Sequence, residues 1–293
     1  MRGRLTVGTM LAALLTNLAL AGCGTALPAE VDSKLTDDWV KVADVKGWVP
    51  EAGVCLGVAP KDTGRYTDAV VDCAKSHYGE VVHVGEFKGL TTSPGPKDNA
   101  AALAECDREA TTYLGRSWSL ARLELTLAVP TPTAWTGGAR WFRCDLAEVT
   151  TVFDAPDWVQ RTGSLKGDVP AALLVGCVNS QEKGDSIVKM PEVACAKAHN
   201  SEFVGAYRAS VSTAYPKSER QWNVLHDECQ DLAAKFMGVS LSSAGRIGVI
   251  SSPNNPESWA AGDRMVRCVL WFYDGKTMKK SAKGSKGKGV PGW

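Results

Sequence analysis

Eight cysteines fall into two sets whose spacing nearly repeats. Cys55, Cys73, Cys106 and Cys144 are separated by 18, 33 and 38 residues, and Cys177, Cys195, Cys229 and Cys268 by 18, 34 and 39. Two one-residue indels bring the sets into register, so whatever the first four staple, the second four should staple again. The match extends beyond cysteine. Residues 73–80 read CAKSHYGE and 195–202 read CAKAHNSE; Glu105-Cys106 is matched by Glu228-Cys229, and Gly115 by Gly238. The stretch from Pro132 to Cys144 runs parallel to that from Pro256 to Cys268, sharing its Trp, Gly, two Arg and Cys. The chain reads as a tandem duplication. With no Cys-x-x-Cys pair, a zinc ribbon or a thioredoxin-like redox motif is not expected.

The ninth cysteine, Cys23, has a different role. Arg2 and Arg4 precede an apolar run from Leu5 to Leu20, followed by Leu20-Ala21-Gly22-Cys23. A basic start, an apolar stretch and small residues before a cut site describe an export signal. At about 18 residues the stretch sits at the lower limit for crossing a bilayer. The four residues ending in Cys23 resemble the lipobox of bacterial lipoproteins. That resemblance implies cleavage before Cys23, acylation there, and an extracytoplasmic protein held on the outer face of the cytoplasmic membrane through its lipid anchor. Outside the cytosol, the remaining eight cysteines are expected to form four disulfides within the modules. Four cysteines allow three connectivities. A short hairpin favours Cys55 with Cys73, and a helix-to-strand staple favours Cys106 with Cys144, with the same for the second set.

The predicted layout is a signal peptide over 1–22, a tether over 23–47, a first module over 48–153, a linker over 154–169, a second module over 170–275 and a disordered basic tail over 276–293. Each module is of ordinary domain size. In the second, Ser218 and Gln221 suggest a capping box, and Trp222, Leu225, Cys229, Leu232, Phe236 and Met237 form an apolar stripe that stops at Gly238. In the first, the helix is expected to start at Asp98 or Asn99 and pass through Leu103, Cys106, Ala110 and Leu114 to Gly115. Runs such as Leu123 to Val129 alternate as strands do. The expected fold class is α+β, each module an antiparallel sheet crossed by one main helix and holding two disulfides.

Charge excludes one class of partner. Between Cys23 and Gly275 there are 25 basic side chains against 32 acidic ones, whereas the last 18 residues carry six lysines and no acid. No basic body argues for nucleic acid. The lysine-rich tail is a candidate contact for anionic lipid or a wall polymer.

The best candidates for chemistry are His77 with Glu80 and His199 with Glu202. Two ligands are too few for a zinc site, so no metal and no cofactor are expected. The favoured reading is a polar clasp in which Glu80 accepts from His77, Arg140 or Arg143; a ligand or partner contact is the other. Trp135 and Trp259, with Arg140, Arg143, Arg264 and Arg267 nearby, are read as aromatics packed over the sheet, the alternative being a glycan-stacking platform. The other histidines, His83 and His226, do not correspond between the copies. No nucleophile elbow or phosphate loop is present.

The runs Val-Asp-Cys-x-x-x-His-x-x-Glu-Val at 71–81 and Val-Ala-Cys-x-x-x-His-x-x-Glu-Phe at 193–203, the closing Trp-x-x-Gly-x-Arg-x-x-Arg-Cys, and GSLKG at 163–167 resemble the septum-formation domain of actinobacterial envelope proteins. The second run has Ala194 where the first has Asp72. The resemblance implies extracytoplasmic, cysteine-paired modules linked to cell division, with no catalytic residues to carry over. The expectation is therefore a non-enzymatic binding or scaffolding lipoprotein with envelope or division proteins as partners. A sensor or carrier of a wall-derived glycan or small molecule, using the cleft between modules, is the alternative. A metal-assisted hydrolase ranks below both.

Overall fold

The computed structural model describes residues 51–60, 70–153, 156–184, 186–244 and 248–293. The export signal, Cys23 and the tether lie outside the described residues. Among the described residues, no helix is long and apolar enough to cross a membrane.

The first half begins with the short strands β1 (Cys55–Leu56) and β2 (Val70–Val71) and continues into β3 (Gly79–Glu86). Helix α1 (Pro96–Leu114) follows, then β4 (Leu123–Ala128), the short helix α2 (Pro132–Thr136) and β5 (Trp141–Glu148). The second half repeats the series as β6 (Cys177–Val178), β9 (Glu192–Val193), β10 (Ser201–Arg208), α3 (Glu219–Met237), β11 (Gly248–Pro253), α5 (Pro256–Ala261) and β12 (Met265–Trp271). It adds a hairpin of β7 (Gln181–Lys183) and β8 (Ser186–Lys189), and a short α4 (Leu241–Ala244) after the main helix.

Both halves carry a five-stranded sheet with the same order, β2-β1-β3-β5-β4 and β9-β6-β10-β12-β11. Every strand pair in them is antiparallel. The register even slips at the same place, between Val81 and His83 in β3 and between Phe203 and Gly205 in β10. A bulge inserts one residue and bends the strand, so both long strands curl at the same point under their helix.

The helices form where the stripes require them. Ala102, Leu103, Cys106, Ala110 and Leu114 of α1 are buried, as are Leu225, Cys229, Ala233, Ala234 and Met237 of α3. These steps of three and four residues put one apolar face on the sheet. Helix α1 starts earlier than expected, at Pro96, with Asp98 accepting from the Gly95 amide at 2.9 Å. In α3 the Ser218 hydroxyl does not cap a backbone amide. It donates to Gln221 Oε1, which also accepts from the Lys217 amide. Gly115 and Gly238 end the two helices at φ 73°, a left-handed turn that a β-carbon disfavours.

The disulfides are Cys55–Cys73, Cys106–Cys144, Cys177–Cys195 and Cys229–Cys268. In each half one staple ties two neighbouring strand segments, while the other, wholly buried, ties helix to sheet. A staple closing about 35–40 residues adds on the order of 4 kcal/mol by removing freedom from the unfolded chain.

Two stretches depart from the expected layout. Residues 156–169 are not a free linker, because Arg161 bridges His77 in β fashion and Leu165 and Val169 join the first core. The tail over 276–293 is not disordered: Met278 bridges His199, and Ala282 and Val290 are buried against the second core. Glycine and lysine would leave such a segment loose in isolation, but backbone bonds from the Gly284 and Lys286 amides to Phe236 and Met237 hold it to the end of α3. Residues Val149, Val152 and Phe153, just after β5, cover the face of the second sheet away from α3, with Phe203, Ile250 and Val269.

Candidate functional site

Glu80 sits on β3 opposite Cys55, and Glu202 on β10 opposite Cys177. Neither carboxylate has more than a sliver of exposure, and His77 and His199 are fully buried. A buried carboxylate must be met by donors or it costs several kcal/mol, so these side chains reveal what surrounds them. Glu80 accepts from the Leu165 amide at 2.7 Å, the Ser164 hydroxyl at 2.7 Å, the Tyr113 hydroxyl at 2.9 Å and the Arg161 guanidinium at 3.0 Å. Glu202 accepts from the Ala282 amide at 2.6 Å and the Ser281 hydroxyl at 2.7 Å. The histidines lie beside them, with His199 Nε2 at 3.3 Å from Glu202 and His77 Nε2 at 3.5 Å from Glu80, the latter beyond a good hydrogen bond. Their other nitrogens are engaged alike, Nδ1 at 2.9 Å from the carbonyls of Lys75 and Lys197.

Each clasp is therefore a lock for a strap that arrives after the last strand of its half. The strap is the tetrapeptide Ser-x-Lys-Gly, at 164–167 and again at 281–284. Its serine and following amide bind the carboxylate. Its lysine amide bonds back to the serine hydroxyl, at 3.0 and 3.1 Å. Its glycine amide bonds the Tyr113 or Phe236 carbonyl near the helix end, at 2.8 and 2.9 Å. Burial, with the nearby Glu80 carboxylate, pushes the Tyr113 hydroxyl up to about 12, so it donates to Glu80 throughout the physiological range.

Arg140 and Arg143 are not the partners of Glu80, which corrects the expectation. Arg143 lies on the sheet face away from the helix, two residues along β5 from Asp145, and the two form a fully buried bidentate pair at 2.6 Å. Burial holds the Asp145 carboxyl above its usual range although Arg143 pulls it down. Arg140 covers the Trp135 ring at 4.2 Å and donates to the carbonyls of Trp135 and Ala139 at 2.8 Å. Arg264 lies over the Trp259 ring at 5.4 Å and donates to the Thr213 carbonyl. Trp135 and Trp259 are only 5 % and 3 % exposed, so neither offers a face for stacking a sugar.

Cys55, His77 and Glu80, and likewise Cys177, His199 and Glu202, hold potential metal donors within 4.8 Å of one another. A cysteine ligates a metal as thiolate, and both sulfurs are already bonded to Cys73 and Cys195. The carboxylates are committed to the straps, so the donor set of the disulfide-bonded protein does not fit a metal.

A second feature lies between the halves, where a cleft of about 890 Å³ opens. Ionic groups line part of it: Arg267 on β12 pairs with Glu124 of β4 and donates to Asn254 at 2.9 Å, and Asp263 in the lining pairs with Arg208 on β10, which also pairs with Asp107 of α1. Burial keeps Glu124 above the usual carboxylate range against the pull of Arg267. Burial also works against the charge on Arg208, and Asp263 and Asp107 more than offset it. Trp158, Phe153, Ile187 and Met190 supply apolar lining. The ion-pair partners here are 55 to 143 residues apart in sequence, so no local pattern announces them. The strap residues had a signal, the second Ser-x-Lys-Gly, which is visible only when the tail is aligned with 164–167.

The second half also contains a polar pair that the first lacks. His226 Nδ1 is 2.8 Å from the Ser251 hydroxyl, and Ser251 is paired with Cys268 across the sheet. The corresponding residues of the first half are Leu103, three before Cys106, and Leu127, paired with Cys144. Burial lowers the His226 pKa, with Asp227 partly opposing.

Four disulfides belong to a chain that folds outside the reducing cytosol. Neither a curated protein nor a solved structure matches the chain. A family model described as septum formation matches residues 52–268, from just before β1 to Cys268 in β12, including His77, Glu80, His199 and Glu202. With well over half of the chain inside that match, the chain belongs to the septum-formation family.

Proposed function

We propose that the protein is a lipid-anchored envelope component, made of two copies of one module, that acts as a non-enzymatic binding or scaffolding unit in septum formation. The family match carries the link to division. Acylation of Cys23 would tether the modules to the outer face of the membrane, with envelope or division proteins as partners. The non-enzymatic reading is supported by the fate of the repeated motif. Its Glu carboxylates are taken up by the straps and its Cys sulfurs by disulfides, which leaves each histidine without a free carboxylate or thiolate beside it to complete a metal site. The identical strand orders and register slips support two copies of one module.

Proximity labelling of the full-length chain in growing cells, with imaging of a tagged copy, tests the proposal. Enrichment at the division site with division or wall-synthesis proteins as neighbours is the expected result. An even distribution without such neighbours defeats the septal role.

The cleft favours a second reading, a carrier or sensor for a small wall-derived molecule. Its volume is within the range of ligand sites, and it combines apolar walls with a few convergent polar groups. Retention of defined wall glycan fragments by the purified protein, lost on Trp158→Ala, would support it. Stoichiometric zinc in the purified disulfide-bonded protein would instead overturn the non-enzymatic assignment.

A further inference from the structure

The C-terminal strap does more than the clasp requires. Locking it to Glu202 and α3 takes the Ser281 hydroxyl and a series of backbone amides. No lysine side chain takes part. Yet Lys279, Lys280, Lys283, Lys286 and Lys288 all lie exposed within ten residues. Among the described residues none of the five has a carboxylate within ion-pair distance, the one pair of the segment being Lys276 with Asp274 at 4.0 Å. The equivalent strap of the first half carries Arg161, which is turned inward onto Glu80, and only Lys166 outside.

Two further observations concern the side chains themselves. Lys286 has φ 54°, a left-handed conformation that its β-carbon disfavours. The strap's other left-handed positions, 284, 287, 289 and 292, are all glycine. A lysine kept where glycine would sit without strain points to a use for its side chain. Trp293 lies over Gly287, where any β-carbon would overlap the indole, and is 39 % exposed. It thus packs on the backbone at Gly287, the residue between Lys286 and Lys288, with Lys276 Nζ near Gly292.

Five exposed lysines within ten residues, two of them flanking the glycine on which a partly exposed tryptophan packs, make an interfacial surface. Ammonium groups on long apolar stems reach phosphate while the stems stay in contact with apolar matter, and tryptophan prefers the headgroup level of a bilayer. We propose that this strap face is a binding surface for the phosphate-bearing headgroups of an anionic membrane, with Lys279, Lys280, Lys283, Lys286 and Lys288 on the phosphates and Trp293 at the headgroup level. The tryptophan favours a membrane over a soluble polyanion, which lysines alone would serve equally. The surface would lay the second half against the bilayer by electrostatics, separately from any covalent anchor and from any septal role.

The test compares binding of the full chain to vesicles of pure phosphatidylcholine and to vesicles with about 30 mol % phosphatidylglycerol, at about 0.15 M salt. An N-terminal apolar segment contributes to both, so the readout is the ratio of the two partition coefficients. Wild type should prefer the anionic vesicles, and each single Lys→Gln exchange should cut that ratio about fivefold. The five-lysine Gln variant should lose the preference while keeping its near-ultraviolet circular dichroism. Lys286→Gly is the sharper variant: it should weaken the preference about as much without lowering the melting temperature. A five-lysine variant that is folded and still prefers anionic vesicles overturns the proposal. So does a wild-type chain that shows no vesicle preference but is retained by soluble poly(glycerol phosphate), which would make the surface a polymer site. Trp293→Ala should weaken vesicle binding and leave polymer binding unchanged.

Discussion

The two clasps use one design with different chemistry around the carboxylate. Glu80 is met by a cation, two hydroxyls and an amide, and Glu202 by one hydroxyl, one amide and a histidine. Where the first strap has Arg161, the second has Met278, each bridging its histidine. Where α1 has Tyr113, α3 has Phe236. The serine and amide are common to both, so they are the minimum that lets the strap close. The arginine and tyrosine are additions that bind the first strap more firmly. In the second half that charge is instead displayed outward, as lysines.

Breaking the carboxylates should produce the largest effects. Glu80→Ala would leave Arg161 largely buried without its main partner, although Glu148 at 3.4 Å remains. Loss of one member of a buried charged pair costs about 3–5 kcal/mol, so urea denaturation should show a destabilisation in that range. Glu202→Ala strands an amide, a hydroxyl and the His199 Nε2 but no permanent cation, for about 2–3 kcal/mol. Equal losses in the two variants would mean that Arg161 contributes nothing to the difference.

Exchanging the distinguishing residue sharpens the comparison. Arg161→Met should bring the first clasp down to the second, at a cost of about 1.5–3 kcal/mol for a hydrogen bond to a charged group. Met278→Arg should strengthen the second only if the guanidinium reaches Glu202, which a charge-dependent rise in melting temperature would report.

The smallest predicted effect concerns the polar pair in the second core. Burial holds the folded His226 pKa below the 6.5 of an unperturbed imidazole, so the unfolded chain binds more protons there. Stability from this group is complete above 6.5 and is lost as pH falls through the depressed folded value. Replacing His226 and Ser251 together by leucine copies Leu103 and Leu127 of the first half. That variant should lose this acid-side slope, while His226→Leu alone leaves the Ser251 hydroxyl without its partner. Melting curves between neutral pH and the acid limb would distinguish the two variants.

Much of the architecture was legible because it is local or repeated. The apolar stripes of α1 and α3, the alternation in β4 and the cysteine spacing each specify an element within a short window. The candidate site was half legible. The repeated His-x-x-Glu showed that a clasp was wanted, but the arginines nearest in the motif, Arg140 and Arg143, were the wrong partners. Side chains alternate along β5, so Arg143 falls on the opposite face from Cys144 and meets Asp145 instead. The strap was missed at 276–293 because composition describes what an isolated segment does, and a buried carboxylate can order a segment that has no core of its own.

By itself the sequence determined the internal repeat, the class of each half, the two helices and the outward or inward placement of most apolar residues. These follow from periodicity and spacing, which depend on neighbours along the chain. Only the tertiary structure decided which donors close on Glu80 and Glu202, which charges pair across the cleft, and that the lysine-rich end is a fixed surface rather than a loose one. Most of those depend on groups 33 to 143 residues apart meeting at hydrogen-bond distance, where an angstrom separates a satisfied buried charge from an unsatisfied one.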